Sequence, residues 1–195
     1  MTDATARPTP MNIPNLLTIS RVVAVPLLVA SLFFLEGDQA RWISVILFAL
    51  AAISDFLDGY LARIWKQQSA LGRMLDPIAD KLLVGAVLLM LVYDGTIADW
   101  SIWAALIILC REILVSGLRE YLAELRVKLH VSWLAKWKTV LQMLALGLLL
   151  AGPAGETPII DITQLGLSLL WASAILTLWT GYGYLSAAID HALRN

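Results

Sequence analysis

Long apolar runs separated by short polar turns dominate the chain. Six stretches have the length of about 20 apolar residues that crosses a bilayer core: roughly 16–35, 41–62, 75–93, 98–120, 133–151 and 162–187. Turn and charge signals stand between them: Glu36-Gly37-Asp38, Arg63 to Arg73, Asp94-Gly95, Arg119 to His130, and Gly152-Pro153 through Asp161. The pattern predicts an all-α integral membrane fold of six transmembrane helices, with both termini on one side. Residues 1–11, with Arg7, Pro8 and Pro10, read as a flexible cytoplasmic tail, and 12–195 as a single membrane domain. The segment Asn12-Ile-Pro-Asn-Leu-Leu-Thr-Ile-Ser-Arg21 mixes polar and apolar positions at helical spacing, which predicts a short interfacial helix ahead of the first span. The first apolar stretch is long and begins after Asn15, so it is expected to stay in the membrane rather than to be cleaved as a leader. Pro26 within it would kink the helix.

Composition agrees with this class. Of the 195 residues, 59% are hydrophobic and 15% charged, and the mean hydropathy is +0.77, values foreign to a soluble domain. A net charge of -1 argues against nucleic-acid binding, which needs a strongly basic face. The single Cys110 can form neither an intrachain disulfide nor a multi-cysteine metal site and reads as packing.

The distribution of charge predicts orientation, because loops rich in Lys and Arg stay cytoplasmic. Of fourteen cations only Arg41 falls in an outer loop, whereas the outer loops hold Glu36, Asp38, Asp94, Asp99, Glu156 and Asp161. The N-terminal side is therefore expected to be cytoplasmic. Trp42, Trp65, Trp100, Trp103, Trp133 and Trp137 cluster near predicted span ends, where an amphipathic ring suits the headgroup level.

The chemistry concentrates in Asp55-Phe-Leu-Asp58-Gly59-Tyr-Leu-Ala62-Arg63, eight further residues, and Gly72-Arg-Met-Leu-Asp76-Pro-Ile-Ala-Asp80-Lys81. Asp55 and Asp58 share one helix face, as do Asp76 and Asp80, and the short basic connection is expected to fold the two faces together. Ionised carboxylates at membrane depth cost about 2.5–3.5 kcal/mol each on insertion scales, on the order of 10 kcal/mol for four. Something must neutralise them. Arg63, Arg73 and Lys81 supply part of this, but oxygen donors without nearby His or Cys suit hard divalent cations such as Mg²⁺ or Mn²⁺. Two such ions would balance four carboxylates and bind a diphosphate. Gly59 and Ala62 leave space beyond Asp55, Gly72 permits close approach before Asp76, and Arg63 suits phosphate oxygens. An architectural ion-pair cluster would account for one such aspartate, but not for four at these spacings with the glycines in register.

The pattern D-x2-D-G-x2-A-R-x8-G-x3-D-x3-D resembles, without a missing position, the signature of the CDP-alcohol phosphotransferase family. The resemblance implies six membrane helices, a homodimer, and two divalent cations held by Asp55, Asp58, Asp76 and Asp80. It further implies that Gly59, Ala62 and Arg63, with Gly72 and Thr18, form the CDP site, and that Asp80 doubles as general base.

Four further segments resemble the bacterial branch of that family whose acceptor is glycerol 3-phosphate: Asn12 to Arg21, Asp76 to Lys81, Arg111-Glu-Ile through Leu118-Arg-Glu120, and Val131 to Thr139. A physical argument points the same way. Arg111 and Arg119, eight apart, lie on one helix face, with Lys136 and Lys138 on the next inner segment, and a phosphate-bearing acceptor needs such cations. Lys136 and Lys138 point in different directions on a regular helix, so one of them is expected to touch the acceptor. The implied reaction transfers the phosphatidyl group of CDP-diacylglycerol to glycerol 3-phosphate at the cytoplasmic face of a bacterial inner membrane, in phospholipid biosynthesis. Another acceptor, such as phosphatidylglycerol, serine or inositol phosphate, is the nearest alternative. A membrane prenyltransferase would carry compact DDxxD-like clusters and more spans. A cation transporter or channel would carry polar residues through both leaflets, whereas the outer halves of these spans hold almost none.

Overall fold

The computed structural model describes residues 13–64, 70–125 and 133–194. The expected tail 1–11, Trp65, Arg126 and Lys128 lie outside the described residues. So do the side chains of Asp58, Gly59, Ala62, Arg63, Arg73 and Lys136.

The described chain is all helical: α1 (Ile13–Phe34), α2 (Gly37–Ile64), α3 (Ala70–Tyr93), α4 (Ser101–Glu124), α5 (Trp133–Ala151), a single 3₁₀ turn (Gly152–Gly155) and α6 (Ile162–Arg194). Each expected apolar stretch became one helix, because twenty or so residues at apolar positions satisfy their backbone hydrogen bonds internally. Four of these helices are long and apolar enough to cross a membrane, over Leu16–Phe34, Ser101–Ala123, Trp137–Gly155 and Ile162–Ser186. The C-terminal half of α2 and the N-terminal half of α3 carry the charged motif, and the plain apolar run left to each is correspondingly short.

Three of the marked turns lie within the described residues and form there. Gly37 and Gly95 take positive φ, at 68° and 79°, a region glycine enters without a Cβ penalty. The separate interfacial helix expected over 12–21 is not formed: residues 13–34 are one unbroken helix, with Pro26 inside it. The reason lies in the first turns, where polar Thr18 and Arg21 are buried against α2 and α3 rather than laid on a membrane surface.

The helices pack as a ring, α1 beside α2, α2 beside α5, α5 beside α6, α6 beside α4 and α3 beside α1, with a thinner α3–α4 seam closing it. The core is built from Leu28, Phe48, Val87, Leu91, Ile108, Leu146, Leu149 and Leu170, all buried. It occupies the part of the bundle beyond Lys81. Outward-facing positions are apolar as well, among them Leu27, Ile46, Leu89, Ile113, Leu144 and Ile175. An exterior that apolar, over this many helices, has a lipid solvent rather than water, and the protein is a membrane protein. Trp42, Trp100, Trp103, Trp133 and Trp137 are exposed. Arg41 donates to Asp94 at 3.1 Å, Thr96 at 3.0 Å and the Leu149 carbonyl at 3.4 Å, which joins α2, the α3–α4 turn and the end of α5.

Candidate active site

Asp55 comes from the C-terminal half of α2, and Asp76 and Asp80 from the first turns of α3. The basic connection expected to fold the two faces together lies largely outside the described residues. Direct α2–α3 packing is slight, and α1 lies against both. Thr18 and Arg21, three apart and so on one face of α1, reach the two carboxylate helices separately. Thr18 Oγ1 donates to Asp76 Oδ1 at 2.8 Å, and Arg21 Nη1 donates to Asp55 Oδ1 at 2.6 Å. Both α1 side chains are almost fully buried. Each bond takes one oxygen of its carboxylate, leaving Oδ2 of Asp55 and of Asp76 able to bind something else.

Asp80 stands among charges from three helices besides its own: Asp55 of α2, Glu112 of α4 and Lys138 of α5, with Lys81 adjacent in sequence. Lys81 itself turns back, its Nζ donating to the Pro77 carbonyl at 2.9 Å. Gly72 is buried one turn before Asp76. Of the expected cytidine-diphosphate residues, Thr18 is therefore placed as a partner of Asp76, while Gly59, Ala62 and Arg63 lie outside the described side chains.

Among the described residues no group of three or more acidic, His or Cys side chains is close enough to hold a metal ion, and the expected ligand Asp58 is outside them. The chemistry of the donors still fits a hard divalent cation. They are carboxylate oxygens on facing helices, without imidazole or thiolate, and two have an oxygen unused by α1.

The expected acceptor cations separate into two groups. Arg111 is buried and turned toward α6, with Nε donating to the Thr177 carbonyl at 3.0 Å and Nη2 to Thr180 Oγ1 at 2.9 Å. Arg119 also meets α6, donating to the Tyr184 hydroxyl at 3.3 Å with its guanidinium 5.3 Å from that ring's centroid, a cation–π arrangement. Lys138 donates to Glu112, whose same oxygen lies 3.9 Å from Arg111 Nη1. The structure thus pairs Lys138 with Glu112 and ties Arg111 and Arg119 to the last helix, with Arg111 touching both groups.

Two residues with polar roles escape a reading of the motif alone, Arg21 and Glu112. Each is an ionisable side chain inside a predicted span, at 16–35 and 98–120, and an ionisable group at membrane depth calls for a partner by default. That signal was available, but not which carboxylate or amine would answer it.

Residues 11–179 match the family described as CDP-alcohol phosphatidyltransferase. Proteins named CDP-diacylglycerol–glycerol-3-phosphate 3-phosphatidyltransferase are similar over nearly the whole chain. That of Rickettsia bellii is 47% identical over 176 residues, covering 90% of this chain and 94% of the relative. That of Haemophilus influenzae is 44% identical over 186 residues, covering 94% and 97%. The Cereibacter sphaeroides protein is 38% identical, covering 92% and 96%. A family match across most of the length, on an all-helical membrane chain, makes this protein a member of the CDP-alcohol phosphatidyltransferase family.

Proposed function

We propose that the protein transfers the phosphatidyl group of CDP-diacylglycerol to glycerol 3-phosphate, giving phosphatidylglycerophosphate and CMP. The observation that carries this reading is the position of Asp80, which lies within electrostatic reach of Asp55 and of the Lys138–Glu112 pair. A proton acceptor thus shares one charged neighbourhood with a carboxylate suited to a diphosphate site and a cation suited to an acceptor phosphate. The names of the relatives, which specify CDP-diacylglycerol and glycerol 3-phosphate, support the same substrates.

In this mechanism the terminal hydroxyl of glycerol 3-phosphate attacks the lipid-side phosphorus. The new P–O bond forms as the bond to CMP breaks, and Asp80 takes the hydroxyl proton. Asp55, Asp58, Asp76 and Asp80 would hold two divalent cations, Mg²⁺ or Mn²⁺, which when bound offset the charge of the diphosphate. Thr18 and Arg21 fix Asp76 and Asp55 for that task. Gly59, Ala62, Arg63 and Gly72 receive the cytidine diphosphate, and Lys138, with Arg111, Arg119 or Lys136, orients the acceptor phosphate.

The reading includes a single six-helix membrane domain, in which α2 and α3 also span and their charged halves are sheltered by α1. It includes both termini and the site on the cytoplasmic side of a bacterial inner membrane, following the cation bias, and a homodimer. Purified protein supplied with CDP-diacylglycerol and a panel of alcohols tests it: cation-dependent CMP release with glycerol 3-phosphate is expected, and release only with serine, inositol phosphate or phosphatidylglycerol would refute the acceptor.

A further inference from the structure

Among the described residues, Glu112 is the one acidic side chain acting on Asp80 that phosphatidyl transfer leaves without a task. It lies midway along α4, in a run that is otherwise apolar apart from Arg111, where an ionised carboxylate is costly and rare. A single oxygen of it faces two cations. Glu112 Oε1 accepts from Lys138 Nζ of α5 and lies 3.9 Å from Arg111 Nη1. Both members of the Glu112–Lys138 pair act on Asp80.

The pair is not sealed inside the bundle. Glu112 lines a cavity of about 520 Å³ at the α3–α4 seam, together with Pro77, Lys81 and Gly85. Its side chain retains 16% exposure against 6% for Lys138. Arg111 is already fixed by donating to two acceptors on α6, but Lys138 ends a flexible four-carbon stem with a compact charge. Without an anchor its ammonium would have no defined place before the acceptor arrives.

We infer that Glu112 is a positioning residue for the acceptor phosphate: it holds the Lys138 ammonium beside Asp80 and, set against two cations, leaves the trio one positive charge for the incoming anion. The inference rests on glycerol 3-phosphate being the acceptor. It assigns the specificity for a phosphorylated alcohol to a carboxylate that touches no substrate.

The test is steady-state kinetics of the full chain in lipid nanodiscs with Mg²⁺. Glu112→Gln is expected to raise the KM for glycerol 3-phosphate about tenfold, the effect of weakening one charge-assisted contact, with the KM for CDP-diacylglycerol unchanged. Glu112→Asp, which keeps the charge but shortens the reach, should raise the acceptor KM less. In a Lys138→Gln background the Glu112→Gln change should add nothing further. An unchanged acceptor KM, or equal changes in both KM values as a merely structural pair would give, overturns the inference. Should Glu112→Gln fail to fold, seen as lost CDP-diacylglycerol binding, Glu112→Asp decides alone: a rise confined to the acceptor KM sustains the inference and any other result ends it. Failure of the wild-type chain to use glycerol 3-phosphate would instead sink the reading beneath.

Discussion

Arg21 Nη1 meets Asp55 Oδ1 at 2.6 Å, from a guanidinium that is almost wholly buried to a carboxylate whose side chain is half exposed. The bond crosses from the first helix to the second and anchors one of the candidate metal ligands from outside the motif. Removing one partner of a fully buried pair costs about 3–5 kcal/mol, and the exposure of Asp55 lowers that expectation toward the value of a single charged hydrogen bond. Arg21→Ala should therefore lower unfolding stability in detergent by about 1–3 kcal/mol. Denaturant unfolding followed by tryptophan fluorescence checks it, and unchanged stability would mean that the pair anchors nothing.

Thr18 performs the equivalent service for Asp76 through a neutral hydroxyl. Thr18→Val should cost about 0.5–1.5 kcal/mol, the net worth of one such bond, and should raise the cation concentration needed for half-maximal CMP release. Thr18→Ser, which keeps the donor, should behave like wild type. A cation titration of the three proteins separates these outcomes.

Arg111 joins α4 to α6 through two donors aimed at Thr177 and Thr180. Its removal deletes two charge-assisted hydrogen bonds across a buried seam, so Arg111→Ala should lose about 1.5–3 kcal/mol of stability. It should also raise the acceptor KM more than the CDP-lipid KM. Arg111→Lys should not rescue the stability, because an ammonium cannot supply the fork that reaches both oxygens. Melting temperatures and the two KM values together report whether the residue serves packing, acceptor binding or both.

Asp80→Asn keeps the shape of the side chain and removes its capacity to take a proton. A positioned general base contributes roughly 10²–10⁴-fold, so CMP release should fall to background while CDP-diacylglycerol binding and membrane insertion persist. Substantial remaining turnover would rule out the base role.

Much of the architecture was legible in the sequence because the bilayer imposes a length on every apolar run, and each of the six runs is one helix. The aspartates were legible because their cost at membrane depth demands an explanation. What was not legible is azimuth, the direction each helix face turns. The spacing of Arg111 and Arg119 places them on one face of α4, but only the packing of α6 against that face turns them toward Thr177, Thr180 and Tyr184. The expected interfacial helix over 12–21 failed for the same reason: Thr18 and Arg21 resemble surface polar residues until α2 and α3 supply Asp55 and Asp76 as long-range partners. That α1 lies against both carboxylate helices was not legible either, because it is a long-range packing relationship.

The central claim is that the alcohol phosphate of glycerol 3-phosphate ends up in lipid. Purified protein in CDP-diacylglycerol micelles with Mg²⁺, given glycerol 3-phosphate labelled at phosphorus, tests it most directly. The account predicts that label passes into the chloroform-soluble phase in step with CMP release, and that neither occurs with Asp80→Asn or after chelation of the cation. Label that stays in the aqueous phase while the wild-type protein releases CMP would contradict it.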